Sequence, residues 1–294
     1  MSAPTAIVLV HWNQGKACLR TIEAFRDQGM PVRFIVADNA SEPEELEVLR
    51  AGVEGADDVE LIEVGHNSGF GPGANAGLRH WLADPAGSEW ALVAPHDVDP
   101  LDGCVEAMLE ACASEPMAGL ACADVGDGHV PMIDPYFGGL TRPARRTSGW
   151  EAADYPHGTL MAIRRQCARE VGLFDERYFA YNEEADLGRR AREAGWSVGL
   201  VHDAGVRNRH LGTSVRTVDY LQHRNTLMMV REMSGRYHAT IRFLIALGHL
   251  VGGLVRPSSR PLVYDAPARA LGMADFLRGR TGPPPAWISR RRGA

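Results

Sequence analysis

Lysine is all but missing from this chain. Lys16 stands alone and every other one of the 31 basic residues is arginine. Against 37 acidic residues the formal net charge is -6, which excludes a sequence-independent grip on nucleic acid phosphates and a nucleic acid partner. Cysteine is scarce too: Cys18, Cys104, Cys112, Cys122 and Cys167 form no C-x-x-C pair. That excludes a disulfide framework or a structural zinc site and predicts buried thiols in a reducing compartment. The opening residues run directly into a strand-like segment with no basic, cleavable leader, so no secretion signal is expected. No apolar run reaches the ~20 residues that span a bilayer. These absences together predict a cytoplasmic protein.

What is present is an alternation of strand and helix. Ala6–Val10 is a continuous apolar run, as in a strand covered on both faces. Asn13 is placed to cap the next helix, whose apolar face carries Cys18, Ile22 and Phe25, and Gly29 stops it. Strands are predicted at 32–37, 59–64 and 90–94, with helices near 43–50, 74–82 and 101–113. This βα rhythm predicts an α/β fold with a doubly wound, mostly parallel sheet. Residues 124–156 are rich in Gly, Pro and Arg and read as irregular structure that could cover a site. Helical patterning returns at 164–171 and 183–194, a strand follows at 197–201, and two helices near 215–233 and 239–255 form an appendage.

Polar clusters fall where strands of an open α/β sheet end, which is where such sheets bind ligands. Asp38-Asn39-Ala40-Ser41 offers an aspartate that can accept from a ribose or a base N–H, although strand-to-helix turns favour the same residues. Asn67 to Gly77 is glycine-rich and leaves a helix N-terminus free for phosphate; Asn67, Gly69, Phe70, Gly71 and Asn75 are its candidate donor-binding residues, with Asn39. Its G-x-G-x-x-x-G spacing also admits a dinucleotide loop, but it follows the third strand and contains Pro72. Asp97 and Asp99, two residues apart beyond a buried strand, suit one hard divalent cation on a substrate diphosphate. The block from Phe174 to Asp186 interleaves aromatics with carboxylates, which predicts a sugar-facing pocket and a general base. A helix N-terminus favours the same acids, Glu183, Glu184 and Asp186.

In this order the residues resemble the family-2 inverting glycosyltransferases with a GT-A fold, the nucleotide-diphospho-sugar transferase fold, particularly the rhamnosyltransferase-like branch. The resemblance covers about residues 6 to 235. Its landmarks are Val10-His11-Trp12-Asn13, Asp38 to Ser41, Asn67 to Gly77, Asp97-Val98-Asp99, Gly172 to Glu176, Tyr181 to Arg189, and His210 with Ser214. It implies that Asp38 reads the nucleotide and that Asp97 and Asp99 hold Mn²⁺ or Mg²⁺ on the diphosphate, with His210 as a further metal or phosphate ligand. The family's base is the second acid of a Glu-Asp pair; here the pair is Glu183-Glu184, so Glu184 is the nearest match and Glu183 or Asp186 the alternatives. A second departure is Pro95-His96, where the family has Asn-Pro. The implied reaction is a single in-line displacement that inverts the anomeric centre, with a nucleotide sugar, rhamnose or another deoxyhexose, as donor. A glycan, glycolipid or small-molecule hydroxyl is the acceptor.

The expected organisation is a catalytic domain over 1–214 (donor half about 1–123, acceptor half about 124–214), a helical appendage over 215–275 and a poorly ordered tail over 276–294. The competing functions are a dinucleotide-binding oxidoreductase and a non-catalytic sugar-nucleotide binder. The apolar stretch Ile241–Val255 is too short to span. It is expected to pack on the catalytic domain or on a second copy in a homodimer, because glycines at 248, 252 and 253 suit close helix packing. Peripheral contact with the inner face of a membrane is the less favoured reading.

Overall fold

The computed structural model describes residues 3–209 and 214–289. In chain order its elements are β1 (Thr5–His11), α1 (Gly15–Arg26), β2 (Val32–Asp38), α2 (Pro43–Val53), β3 (Val59–Glu63), α3 (Phe70–Ala83), β4 (Trp90–Pro95), β5 (Val98–Pro100) and α4 (Cys104–Ser114). They continue with β6 (Ala118–Asp124), β7 (His129–Asp134), β8 (Gly138–Pro143), β9 (Trp150–Ala152), β10 (Met161–Arg164), α5 (Arg165–Val171), α6 (Glu183–Glu193) and β11 (Ser197–Asn208). The helices α7 (Val215–Val255), α8 (Ala266–Leu277) and α9 (Ala286–Ser289) complete the chain.

The chain divides into two compact units. The first comprises residues 1–132, 141–175 and 184–210. Its sheet has nine strands, in the order β3-β2-β1-β4-β10-β6-β11-β5, with β9 paired to β11. Strands β3, β2, β1 and β4 are parallel, as are β6 and β11, whereas β10 runs antiparallel between β4 and β6. Alternation within β1 sets the layers, because successive side chains point to opposite faces. Ile7 and Leu9 meet Cys18, Ile22 and Phe25 of α1 on one face. Val8 and Val10 meet Ala74, Leu78 and Trp81 of α3 on the other. This is a mixed, mostly parallel sheet covered by helices on both sides, as expected. All five cysteines are free and buried.

The second unit comprises residues 133–140, 176–183 and 211–294. Helices α7 and α8 are joined by buried charge: the Asp219 carboxylate accepts from Arg269 at 3.0 Å and from the Asp265 backbone N–H at 2.6 Å. Removing one partner of such a pair typically costs about 3–5 kcal/mol, since the other charge stays buried. Glycine 272 lets α8 approach the Tyr220 carbonyl.

Several elements differ from expectation. The loosely patterned 124–156 segment holds a β7–β8 hairpin and the edge strand β9. Residues 276–289 are structured: α8 runs to Leu277, and Ile288 of α9 is fully buried. The two expected C-terminal helices, by contrast, are borne out: the run labelled α7 is two helices that meet at Gly235, whose φ of 83° is non-helical. Asn13 does not cap α1; its side chain accepts from the Glu42 N–H at 2.6 Å, and Glu45 accepts from the Gly15 N–H at 2.8 Å.

Candidate active site

The parallel strands β2, β1 and β4 end together, with His11 opposite Asp38 and Val10 opposite Pro95. Asp38 is 1% exposed. Its carboxylate accepts from His11 Nδ1 at 2.8 Å, from the Ser41 hydroxyl, and from the Ser41 N–H at 3.1 Å. The Gln14 N–H reaches His11 Nε2 at 3.4 Å, which fixes the tautomer that donates from Nδ1 to Asp38. Burial alone would push the Asp38 carboxyl up, but the bonds from His11 and Ser41 together hold it below the usual carboxylate range. An ionised carboxylate has about four acceptor positions, so one remains beyond these three bonds.

Backbone strain gathers in the same loops. Asn13 (φ 52°) and Ala40 (φ 59°) lie in the left-handed region, which costs a non-glycine residue about 1–2 kcal/mol. The Asn13 N–H donates to Ser41 Oγ at 2.8 Å, so the strained pair is held by the Asp38 network. Such outliers persist where the surroundings over-determine them, commonly at functional loops. Next to Asn13 in the chain, Trp12 is 42% exposed.

The glycine-rich segment is built differently from a phosphate cradle. Asn39 is 3% exposed and donates to the Gly69 carbonyl at 2.8 Å; its Oδ1 accepts from the Ser68 N–H at 3.1 Å. Asn67 Oδ1 accepts from the Gly69 N–H at 3.1 Å, and Gly69 takes φ 99°. Gly73 packs on Val10 and Asn39, and Gly77 on Val8, where an added Cβ would sit 2.6 Å from a methyl. These glycines bring α3 down onto the sheet, which removes the main support for a dinucleotide loop. Gly71 is buried, and the Phe70 ring meets Phe174 edge-on at 6.2 Å. Asn75, 1% exposed, donates to the Phe174 carbonyl at 2.9 Å and accepts from its N–H at 3.0 Å. That amide pins the loop leading toward the acidic block.

Beyond β4, Asp97 lies in the turn before β5 and is 5% exposed; its carbonyl accepts from the Arg209 N–H at 2.9 Å. Asp99 sits on β5 and forms an ion pair with the Arg209 guanidinium. Those two side chains line an open groove of about 610 Å³ with Leu19, Arg20, Glu23 and Asp27. His96 Nδ1 donates to the Val10 carbonyl at 3.0 Å, and its ring meets His11 edge-on at 5.4 Å. His210 lies outside the described residues. Ser214 caps α7, accepting from the Thr217 N–H at 3.2 Å.

Antiparallel β10 enters the sheet at the end where β4 leaves it, with Met161 opposite Val93. The preceding loop, 154–159, therefore lies at the ligand-binding edge. Helix α6 packs directly on that loop, because Gly188 leaves room for the Tyr155 backbone and Arg192 pairs with Asp154 at 2.8 Å. The same packing sets Glu184, the second residue of α6, against the Cα of Gly158. Burial pushes the Glu184 carboxyl up to about 7, outweighing a backbone hydrogen bond that favours the charged form. Tyr155 is also raised, by burial first and by Glu184 second. Burial lowers His157, whose Nδ1 accepts from the Thr159 N–H at 3.2 Å. Of the two alternative bases, Asp186 is 3% exposed and held by Arg189 at 2.9 Å and Arg190 at 2.8 Å. Glu183, the first residue of α6, is 1% exposed.

The sequence of residues 6–172 matches the family described as Glycosyl transferase family 2. The chain belongs to that family. This glycosyltransferase is 28% identical over 253 residues to the N-acetylglucosaminyl-diphospho-decaprenol L-rhamnosyltransferase of Mycobacterium tuberculosis, covering 73% of this chain and 80% of that one. Its fold is similar to the mannosyltransferase PcManGT of Pyrobaculum calidifontis in complex with GDP-Man and Mn²⁺, with a TM-score of 0.58 and 13% identity over 94% of this chain and 86% of that one. It is also similar to GalNAc-T7 with UDP, GalNAc and Mn²⁺, with a TM-score of 0.59 and 13% identity. There it covers 93% of its own length but only about half, 55%, of the other chain. The fold is thus the GT-A glycosyltransferase fold.

The sequence did not reveal two features of the glycosyltransferase's site. One is the 154–159 loop, whose role depends on β10 running antiparallel. The other is Asn225 of α7, fully buried, which donates to the Ala180 carbonyl at 2.8 Å and the Tyr181 carbonyl at 2.9 Å. It braces Tyr181 (φ 70°) and Asn182 (φ 73°), the strained residues just before α6. The expected sugar-facing aromatics are correspondingly reassigned: Tyr178 is fully buried, and Phe179 and Tyr181 pack with Tyr220 and Leu221.

Proposed function

We propose that this glycosyltransferase moves a deoxyhexose such as rhamnose from a nucleoside diphosphate onto a hydroxyl of a lipid-linked glycan, inverting the anomeric centre. The observation that carries the reading is Glu184, a carboxyl poised near neutrality against Gly158 at the ligand-binding edge of the sheet. A base with that affinity for protons can take one from an acceptor hydroxyl and still lose it at working pH. The acceptor oxygen then attacks the anomeric carbon on the face away from the leaving diphosphate. The Mycobacterium relative, which by its name acts on a polyprenyl-diphosphate-linked sugar, supports the choice of donor and acceptor.

Asp38 supplies its remaining acceptor position to the nucleotide, and the exposed Trp12 ring offers a stacking face for the base. Asn39, Asn67, Gly69, Phe70, Gly71 and Asn75 keep the surrounding loops in place for the donor. Among the described residues no group of three or more His, Cys, Asp or Glu forms a metal cage. One or two carboxylates completed by substrate phosphates are the donor set that Mg²⁺ and Mn²⁺ commonly use, and Asp97 and Asp99 fit it. Asp97 would be the principal ligand, Asp99, now paired with Arg209, a second, and His210 a further one. A bound cation would neutralise charge growing on the leaving diphosphate.

The test is a thermal-shift screen of nucleoside diphosphate sugars with and without Mn²⁺, followed by transfer to a polyprenyl-diphosphate-linked N-acetylhexosamine and determination of the product anomer. A retained configuration, or stabilisation by NADH in place of a nucleotide sugar, overturns the proposal.

A further inference from the structure

The second unit carries a surface that sugar transfer does not explain. From Met233 to Tyr264 the chain has no aspartate or glutamate, yet holds Arg236, Arg242, Arg256 and Arg260, in a protein where acids outnumber bases. Gly235 breaks α7, and the following 20 residues form a helix about 30 Å long. Its exposed large side chains are Tyr237 (69%), Leu244 (59%), Leu247 (41%), Val251 (50%), Leu254 (56%) and Val255 (72%). Steps of seven, three, four and three place the first five on one helix face, and Val255, in line with Tyr237, joins them. The opposite face is covered: Ala239, Ala246 and Gly253 are buried, and Tyr264 lies on Gly253 with its hydroxyl donating to the Leu250 carbonyl at 2.9 Å. Gly248 and Gly252 meet nothing within 4 Å, so close helix packing does not account for them. Just beyond the helix, Leu262 is fully exposed.

We infer that this outer face docks on the surface of an anionic lipid bilayer, lying in the headgroup plane with its apolar side chains down. A continuous apolar face of this length marks an interaction surface, and an apolar stripe with exposed arginines at its two ends, Arg236 before it and Arg256 and Arg260 after it, is the pattern of interfacial helices, Arg242 being on the covered side against Phe137. The charge distribution chooses the occupant. Two copies pairing through this face would bring arginines against arginines, with no carboxylate in the segment to offset them, whereas anionic headgroups complement them. The element is long and apolar enough to cross a membrane by length and composition. Crossing would strip Tyr264 from Gly253 and carry Arg242, whose guanidinium stacks on Phe137 at 5.3 Å, into hydrocarbon; lying flat does neither.

The experiment is flotation of the full chain with phosphatidylglycerol-containing and with pure phosphatidylcholine vesicles, beside sedimentation velocity without lipid. The expected result is binding to the anionic vesicles, weakened by high salt. The double variant Leu247→Glu, Val251→Glu is expected to lose at least about tenfold in partition while keeping its melting temperature and its nucleotide-sugar binding. Retained donor binding separates this inference from the transfer reaction. Absence of wild-type binding to anionic vesicles, or a wild-type dimer abolished by the double variant, overturns it; the second result assigns the face to another copy of the chain.

Discussion

The Glu184 carboxylate rests on the bare Cα of Gly158, so closely that a β-carbon at 158 would overlap its Oε1. The two residues are joined through the packing of α6 on the 154–159 loop, not through the chain. The substitution Gly158→Ala is therefore expected to displace the carboxylate and leave the fold alone, because the obstructing atom is the end of a flexible side chain. Misplacing a catalytic group by about 1 Å can cost on the order of 100-fold. Turnover is expected to fall by about 10- to 100-fold with an unchanged melting temperature, read by initial rates and calorimetry.

With Glu184 as the proposed base, its titration is expected to set the pH profile. With its carboxyl at about 7, the base is charged only above neutrality, so kcat/KM is expected to rise with pH and level off beyond about 7. The stability effect has the opposite sign. Burial raises the folded carboxyl above its unfolded value of 4.5, so the folded state holds more protons between 4.5 and about 7 and stability falls as pH rises through that window. Glu184→Gln is expected to lower turnover by about 100- to 10,000-fold, keep donor affinity, and raise the melting temperature at pH 8. Near-normal turnover in that variant moves the base elsewhere.

The two aspartates beyond β4 are expected to differ. Asp97 is buried in the turn directly beyond β4, whereas Asp99 lies further on, on β5, and lines an open groove with Leu19, Arg20 and Glu23. Exhaustive chelation is expected to abolish transfer and Mn²⁺ to restore it. Asp97→Asn is expected to cost at least about 100-fold, in line with loss of charge stabilisation at a leaving group, and Asp99→Asn less than about tenfold. Equal losses, compared at saturating donor over a Mn²⁺ titration, give the aspartates equal roles.

Asn225 gives a fourth expectation. Its buried amide holds the carbonyls of Ala180 and Tyr181 before α6. Asn225→Ala removes both of these buried bonds and is expected to destabilise the chain by about 2–3 kcal/mol in urea unfolding. At a temperature where the variant stays folded, kcat is expected to fall more than donor KM rises, since the strained turn sets where α6 begins. A proportionate change in both restricts Asn225 to a structural role.

Much of the fold was legible because it follows from short-range pattern. The apolar run of β1, the strand ends at Asp38 and Pro95, and the helices α1, α3, α4 and α6 all announce themselves through periodicity and turn residues. The ordered motifs from Trp12 to Arg189 identified the family. Local pattern failed where a segment's role depends on a distant partner. The strands β6, β9 and β10 were missed because their short sequences become strands only beside β4 and β11, and β7 and β8 because each becomes a strand only beside the other. Helix α8 and the ordered segment to Ser289 depend on Asp219, Tyr220 and α7.

The order of residue types along the chain determined the family, the α/β layering and which carboxylates were available for chemistry. Only the tertiary structure decided what each carboxylate is free to do. Asp186 is spent on two arginines and Asp99 on Arg209, while Glu184 is set over a glycine. A carboxyl's proton affinity and reach are set by the charges and the water around it, and those come from elements far apart in sequence. In the same way, the apolar stretch before Val255 was visible as composition, but which of its faces stays open was settled by what Tyr264 covers.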